Sequence, residues 1–377
     1  MKIAYFIATL LKEDGVACAL LELIREAQKK GIESLVVTGW TEDKSMSSVQ
    51  IIQVPSVKFP LYKAYRLPLP GVRGFEKKLD EFQPDIIHIH SPDTIAWAAL
   101  KYAKKRHIPI IATYHTDFGR YLAYYHLSFL RPVVWSALRR LYKQMRFVTT
   151  PSQLISDELI GHGILNIRTI FHGGIDFTQF GSSFRSSEWR NKILKGKNKT
   201  ILLCVCRLTW EKDLQILAQT YNLLKKNRDD FAMVIAGDGP VRKKLESLMP
   251  GAIFLGHLEG SEFAKVYASC DIFLFPSTTE TFGRVTIEAM ASGLVPVVAD
   301  AGGSKSLVEN GKTGFLARPK DPQDTYEKVS ILLNDPQLRK RMRNASLNFV
   351  KDFTWGRVFE DFLQIYSKCL PDKEDLN

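Results

Sequence analysis

Short apolar runs recur along the chain, each closed by glycine, proline or a polar cluster, and stretches with helical spacing of apolar positions lie between them. Runs of this kind read as buried parallel strands, and their alternation with helices predicts an α/β chain. Residues 2–7 read as a first strand. A loop follows at Lys12–Gly15, then an amphipathic helix from Val16 to Lys30 stopped by Gly31, and a second strand from Glu33 to Thr38. Further strands are expected at 84–90, 108–114, 147–151 and 168–171. Helices are expected at 94–105 and 153–161, the latter capped by Ser152. The second half repeats the alternation, with strands at 200–206, 231–236, 253–255 and 271–276. Pro55 to Gly74 breaks the pattern and reads as an irregular basic, aromatic loop.

A chain of 377 residues exceeds one ordinary core and suggests two domains. The expected division is a nucleotide-type domain over 1–180, a Ser- and Lys-rich linker over 181–199, and a second such domain over 200–350. A helix over 351–370 returns to the first domain, and a disordered tail covers 371–377. No apolar run approaches the roughly 20 residues of a membrane span. The segment Met1–Ala8 leads directly into a loop and helix, so it reads as a strand rather than a signal peptide. Five cysteines without a Cys-x-x-Cys pattern suggest reduced thiols and a cytoplasmic setting. Cys204 and Cys206 share one strand face, where buried free thiols are the favoured reading over a metal pair.

The formal net charge is +12, and it is concentrated early: residues 1–190 carry 25 Lys and Arg against 17 Asp and Glu. Such an excess suits nucleic acid, an anionic membrane or an anionic substrate. No acidic residue occurs between Asp117 and Asp157. Within that stretch Val133, Val134, Ala137, Leu138 and Leu141 form an apolar stripe, with Arg131, Arg139, Arg140, Lys143 and Arg146 around it. A basic amphipathic helix with Trp135 beside it can lie on an anionic bilayer, or pack as a core helix with a charged outer face. Both readings stay open. His88 and His90 alternate on one strand, but no carboxylate or third ligand has the spacing a metal site needs.

The most informative stretch runs from Ser277 to Met290. It follows the strand Asp271–Pro276 and opens a helix closed by Gly293. Glu280 lies in the loop and Glu288 two turns into the helix. Carboxylates accept hydrogen bonds only, so a pair beside a helix N-terminus suits a ligand with hydroxyls and phosphates. Glycine-rich segments follow at Asp300–Gly303 and Glu309–Leu316.

This block closely resembles the C-terminal domain of retaining glycosyltransferases of family 4, and the resemblance extends over roughly 350 residues. It implies the GT-B fold, two Rossmann-like domains facing across a cleft, and transfer of a hexose from a nucleotide-sugar with retention of anomeric configuration. It assigns Arg207, Lys212 and Gly15 to the donor diphosphate. Glu280 and the main chain of Phe282, Gly283 and Arg284 go to the donor hexose, and Glu288 to the ribose. Gly256, His257 and Leu258 border the nucleobase. The segment Thr113–Asp117 matches the one whose histidine, His115, approaches the anomeric carbon, so His115 and Glu280 are the expected catalytic residues. His172–Asp176 matches the family's turn between domains. Asp14, Cys206 and Asp213 stand where the family customarily has glycine. No metal or other cofactor is implied.

The segment Tyr114–Tyr142 is similar to family members that glycosylate diacylglycerol lipids. That resemblance implies a UDP- or GDP-hexose donor, a membrane glycerolipid acceptor and a cytoplasmic enzyme peripheral on the inner membrane face. A polyprenyl-linked or soluble glycan acceptor is the alternative, with a GT-B epimerase further off. A non-catalytic nucleic-acid binder would explain the charge but not the two carboxylates with Arg207 and Lys212.

Overall fold

The computed structural model describes all residues except 12–13, 43–48, 60–61, 72–73, 116–126, 172 and 371–377. Lys12 and Glu13, Arg73, Thr116 and Asp117, the start of the basic stretch at 118–126, His172 and the tail therefore lie outside the described residues. The described chain forms two compact units. The first is drawn from Met1–Gly119, Leu127–Gly174 and Trp355–Asn377, the second from Ile175–Thr354.

The first unit is built on a seven-stranded sheet. Its strands are β1 (Lys2–Leu10), β2 (Glu33–Thr41), β3 (Gln50–Gln53), β6 (Ile86–Ile89), β7 (Ile110–Thr113), β8 (Phe147–Thr150) and β9 (Ile167–Thr169). Their order is β3-β2-β1-β6-β7-β8-β9, and every pairing is parallel. Residues 3–10 of β1 are all buried, because helices cover both faces. Successive side chains feed opposite cores. Ala4 and Phe6 pack with the helices Thr94–Arg106 and Arg131–Tyr142, whereas Ile3, Tyr5 and Ile7 pack with Gly15–Lys29 and Trp355–Ser367. The last helix brings Trp355, Phe359, Phe362 and Tyr366 into that second core. Gly174 lies so close to Trp355 that a Cβ would collide with its backbone and ring.

The second unit carries a six-stranded parallel sheet of β10 (Thr200–Val205), β11 (Phe231–Ala236), β12 (Ile253–Gly256), β13 (Ile272–Phe275), β14 (Val295–Ala299) and β15 (Phe315–Ala317). Its order is β12-β11-β10-β13-β14-β15. In both sheets the order reverses once, between β1 and β6 and between β10 and β13. Ligands bind beyond the carboxyl ends of the strands at such points.

Two segments differ from expectation. Pro55–Gly74 is not irregular: β4 (Ser56–Phe59) and β5 (Tyr62–Pro68) pair as an antiparallel ribbon. Arg66 is held against the Trp40 ring at 4.4 Å and donates to Ser56 O at 3.0 Å. The stretch read as a linker is folded onto the second unit, with a helix over Ser187–Leu194. Arg185 and Arg190 both reach Asp271, at 3.0 and 2.9 Å, and Leu194 is buried in the core. Polar composition resembled a linker because the charges that anchor the segment lie far away in sequence.

Candidate active site

The loops after β10 and β13 meet at the second unit's switch point. After β10 the chain makes a short 3₁₀ turn, Trp210–Lys212, and Asp213 adopts a left-handed conformation with φ of 52°. Aspartate tolerates that region better than most residues. Its side chain then bridges to the other loop, where Asp213 Oδ2 accepts from Thr278 N at 2.8 Å and from Thr278 Oγ1 at 2.7 Å. Thr279 Oγ1 donates back to the carbonyl of Glu211 at 2.9 Å. Lys212 and Glu280 flank this staple, and their side chains form an ion pair at 2.5 Å. The two residues are 68 positions apart in sequence.

Glu280 is held from behind as well. Its carbonyl accepts from Gly303 N at 2.6 Å, and a Cβ on Gly303 would collide with Thr281 and Phe282 backbone. Gly283 has φ of 94°, and a Cβ there would strike Ser304. The glycine-rich Asp300–Gly303 segment is thus the floor on which the Glu280 loop rests. From Gly283 the chain enters the helix Arg284–Ala291. Within it Glu288 is buried, accepting from Arg284 Nε at 2.7 Å and from Tyr267 Oη at 3.2 Å. Burial pushes the Glu288 carboxyl up, and Arg284 pulls it back toward ionisation. Arg207 pairs with the buried Glu211 at 2.8 Å, so its guanidinium is oriented at the end of β10. Cys206 precedes it, and its carbonyl abuts Gly237 so closely that a Cβ on that glycine would collide. Gly256 ends the edge strand β12, and His257 and Leu258 follow it. Gly256 O accepts from Gly237 N at 2.7 Å, His257 is exposed beside Glu259 at 3.1 Å, and Leu258 packs on the core.

The first unit presents Gly15 and His115 at its own strand ends. A Cβ on Gly15 would meet open space, and it begins the helix Gly15–Lys29. Asp14 caps this helix, accepting from Val16 N at 2.9 Å and Ala17 N at 3.0 Å. A carboxylate therefore occupies two of the free amides at this helix start. His115 lies two residues beyond β7, half-buried, with Nε2 2.9 Å from His90 Nδ1. Burial pushes the His115 imidazole down to about 3, so it is neutral at ordinary pH. His88 bonds Tyr366 Oη at 2.9 Å and Thr113 Oγ1 at 2.7 Å, and burial lowers it too.

The helix Arg131–Tyr142 settles one question about its faces. Trp135, Leu138, Leu141 and Tyr142 are buried, and Trp135 stacks on His162 at 3.6 Å between ring centroids. Trp135 is thus a core residue rather than a membrane anchor. The outer face carries Arg131, Arg139, Arg140 and Lys143, with Val133 65% exposed. An open hollow there is lined by Trp97, Pro132, Val133 and Arg140. Among the described residues no helix is long and apolar enough to cross a membrane, and no group of three metal-ligating side chains converges.

Sequence reading missed the partners of the expected site residues. The spacings Arg207–Glu211 and Arg284–Glu288 are i,i+4 pairs and were findable. The Asp213–Thr278 and His90–His115 contacts join separate loops and left no local signal.

Comparison with known proteins bears on these arrangements. The Glycosyltransferase Family 4 profile matches residues 14–179, and the profile Glycosyl transferases group 1 matches residues 185–349. The sulfoquinovosyl transferase SQD2 of Arabidopsis thaliana is 34% identical over 88% of this chain and 66% of its own length. A GDP-mannose-dependent alpha-mannosyltransferase of Corynebacterium glutamicum is 33% identical over 95% of this chain and 86% of its own. The alpha-monoglucosyldiacylglycerol synthase of Streptococcus pneumoniae is 30% identical over 79% and 71%. Among solved structures, Anabaena Alr3699/HepE, determined with UDP and glucose, superposes with a TM-score of 0.79 at 19% identity, over 97% of this chain and 99% of that one.

Proposed function

Because the chain belongs to the GT-B glycosyltransferases of family 4, we propose that it transfers a hexose from a UDP- or GDP-sugar, with retention, to a membrane glycerolipid such as diacylglycerol. The observation that carries this reading is the Lys212–Glu280 pair, held by the Asp213 staple at the switch point. It offers a cation and a carboxylate side by side, as a sugar diphosphate requires.

Lys212 and Arg207 neutralise the diphosphate as it leaves, and that charge stabilisation supplies most of the rate. Glu280 accepts hydrogen bonds from hexose hydroxyls, with the main chain of Phe282, Gly283 and Arg284 nearby. Glu288 takes the ribose hydroxyls, its carboxylate oriented by Arg284 and Tyr267. His115 attends the sugar near its reacting carbon, and its neutral state lets it donate or accept without adding charge. The bond from the acceptor oxygen to the anomeric carbon forms on the face from which the diphosphate leaves. The acceptor proton passes to a diphosphate oxygen. No metal is assigned to this step.

The lipid acceptor is supported by the likeness to the streptococcal alpha-monoglucosyldiacylglycerol synthase and by the exposed Val133 among Arg131, Arg139, Arg140 and Lys143. Such a face suits an anionic bilayer and peripheral residence on the cytoplasmic side. The mannosyltransferase relatives' names carry no lipid, which keeps a polyprenyl-linked or soluble glycan acceptor as the second reading.

The test is product formation from a panel of UDP- and GDP-hexoses, with and without diacylglycerol in anionic vesicles. One donor should yield a glycolipid, and Lys212→Ala and Glu280→Ala should each lower turnover about 100-fold or more. Donor hydrolysis without glycolipid would remove the lipid acceptor, and full activity in both variants would remove the assigned site.

A further inference from the structure

The antiparallel ribbon β4–β5 lies against the carboxyl ends of β1 and β2. Thr9 Oγ1, near the end of β1, accepts from Arg66 N at 3.1 Å. Ser56 Oγ donates to the carbonyl of Gly39, near the end of β2, at 2.6 Å. A Cβ on Gly39 would collide with Ala8 and Pro68. The ribbon thus sits at the edge of the first sheet where Gly15 and His115 follow their strands, the edge at which ligands bind. It holds Arg66 in one place there. Arg66 Nε donates to Ser56 Oγ at 3.2 Å and Nη2 to Ser56 O at 3.0 Å, with the guanidinium carbon 4.4 Å from the centre of the Trp40 ring. Ser56 takes one edge of the guanidinium and Trp40 one face. The Nη1 and Nη2 hydrogens left over form a second edge, and such a planar fork matches a carboxylate or phosphate with two parallel bonds.

None of these contacts neutralises the charge. Other arginines fixed in this fold meet a carboxylate: Arg190 meets Asp271, Arg207 meets Glu211 and Arg284 meets Glu288. Among the described residues Arg66 has no such partner, although it is half-buried. Arg207 and Lys212 of the second unit are the cations assigned to the donor diphosphate, so the charge of Arg66 is left for a different anion. We propose that Arg66 is a specificity-determining residue for the acceptor: its second guanidinium edge takes a phosphate or carboxylate in the headgroup, and the preferred glycerolipid acceptor is an anionic one. The inference rests on the reading that the chain glycosylates a membrane glycerolipid, and it narrows that class. Neutral diacylglycerol is then the weaker acceptor.

The experiment uses the full chain with the UDP- and GDP-hexose panel and four acceptors bearing free hydroxyls. Diacylglycerol and glucosyl-diacylglycerol are neutral; phosphatidylinositol and glucuronosyl-diacylglycerol carry a phosphate and a carboxylate. All vesicles are brought to one surface charge with phosphatidylserine, which has no free hydroxyl, so attraction to the basic face is equal. At least one anionic acceptor should exceed both neutral ones in kcat/KM by roughly 10- to 150-fold, the worth of a hydrogen bond to a charged group. Arg66→Met should bring that ratio near one, with KM for the donor holding. Arg66→Lys keeps the charge without the fork and should retain part of the preference. Equal use of neutral and anionic acceptors by the unaltered chain would overturn the inference without any variant. An equal loss on every acceptor in Arg66→Met, with lowered Tm, would make Arg66 a clamp for the ribbon and overturn it too. A raised donor KM with an unchanged acceptor ratio would assign Arg66 to the donor diphosphate instead. Donor hydrolysis with no lipid product from any acceptor would remove the glycerolipid reading itself, and this inference with it.

Discussion

Asp213 shows how one side chain can both tolerate a left-handed backbone and tie two loops together. Its left-handed backbone needs a residue that tolerates positive φ, and its carboxylate then ties the Lys212 loop to the Glu280 loop. Asp213→Gly keeps the backbone and deletes the tie. Hydrogen bonds to a charged group are worth about 1.5–3 kcal/mol each, so a lowered Tm is expected along with weakened donor turnover. Asp213→Asn should retain much of both, because its carbonyl can accept the same two bonds. Thermal melts and steady-state kinetics on the pair of variants check this. Arg284 acts similarly on Glu288. Removing it leaves a buried carboxylate with less to oppose burial, so its pKa rises further. Arg284→Ala should therefore bind donor more weakly as pH falls toward that raised pKa, and recover part of the binding at higher pH. Titration of donor affinity between pH 5.5 and pH 8.5 (a range of about 3 units around neutrality) would show it, and a flat profile would count against it.

At the scale of elements, the candidate site consists of loops supported by other loops. Gly303 presses against the backbone of Thr281 and Phe282, and Gly283 against Ser304. Gly303→Ala must push the Glu280 loop forward. The expected result is a loss of activity larger than the loss of stability, read as kcat/KM against the urea midpoint. Helices that looked amphipathic in sequence proved so, but the direction each face takes depends on its neighbours. Trp135 is buried because His162 and the first unit's core lie on its side of the helix, leaving Val133 outward. Likewise the Ser- and Lys-rich composition of 181–199 reads as a solvated linker, although Arg185 and Arg190 within it both reach Asp271.

Two expectations belong to the whole molecule. His88 and His115 are held below their ordinary range by burial. The unfolded chain binds protons at these sites below about pH 6.5, where the folded chain does not, so stability falls as pH drops through that value. His88, fully buried, contributes a slope of up to about 1.4 kcal/mol per pH unit. Denaturation at a series of pH values should show a shallower decline in His88→Gln than in the unaltered chain. The second expectation concerns charge. With a net +12 concentrated in the first half, co-sedimentation with anionic vesicles should weaken steeply with salt. Reversing Arg139, Arg140 and Lys143 to Glu should abolish it while leaving donor hydrolysis in place. Salt-insensitive binding would argue against that face.

The sequence by itself determined the alternation of strands and helices, the two-unit scale, the basic first half and the short motifs at the strand ends. Each of these follows from periodicity or from residue types within one loop, and such signals survive in a linear chain. Tertiary structure decided which loops meet. Lys212 reaches Glu280 because β10 and β13 are neighbours across the switch point, although 68 positions separate the two side chains. His90 reaches His115 because β6 lies beside β7. It also decided which expected features have other partners: Asp14 caps its own helix, and the linker folds onto a core. Contacts between distant segments depend on strand order, and strand order is set by the packing of both sheet faces at once.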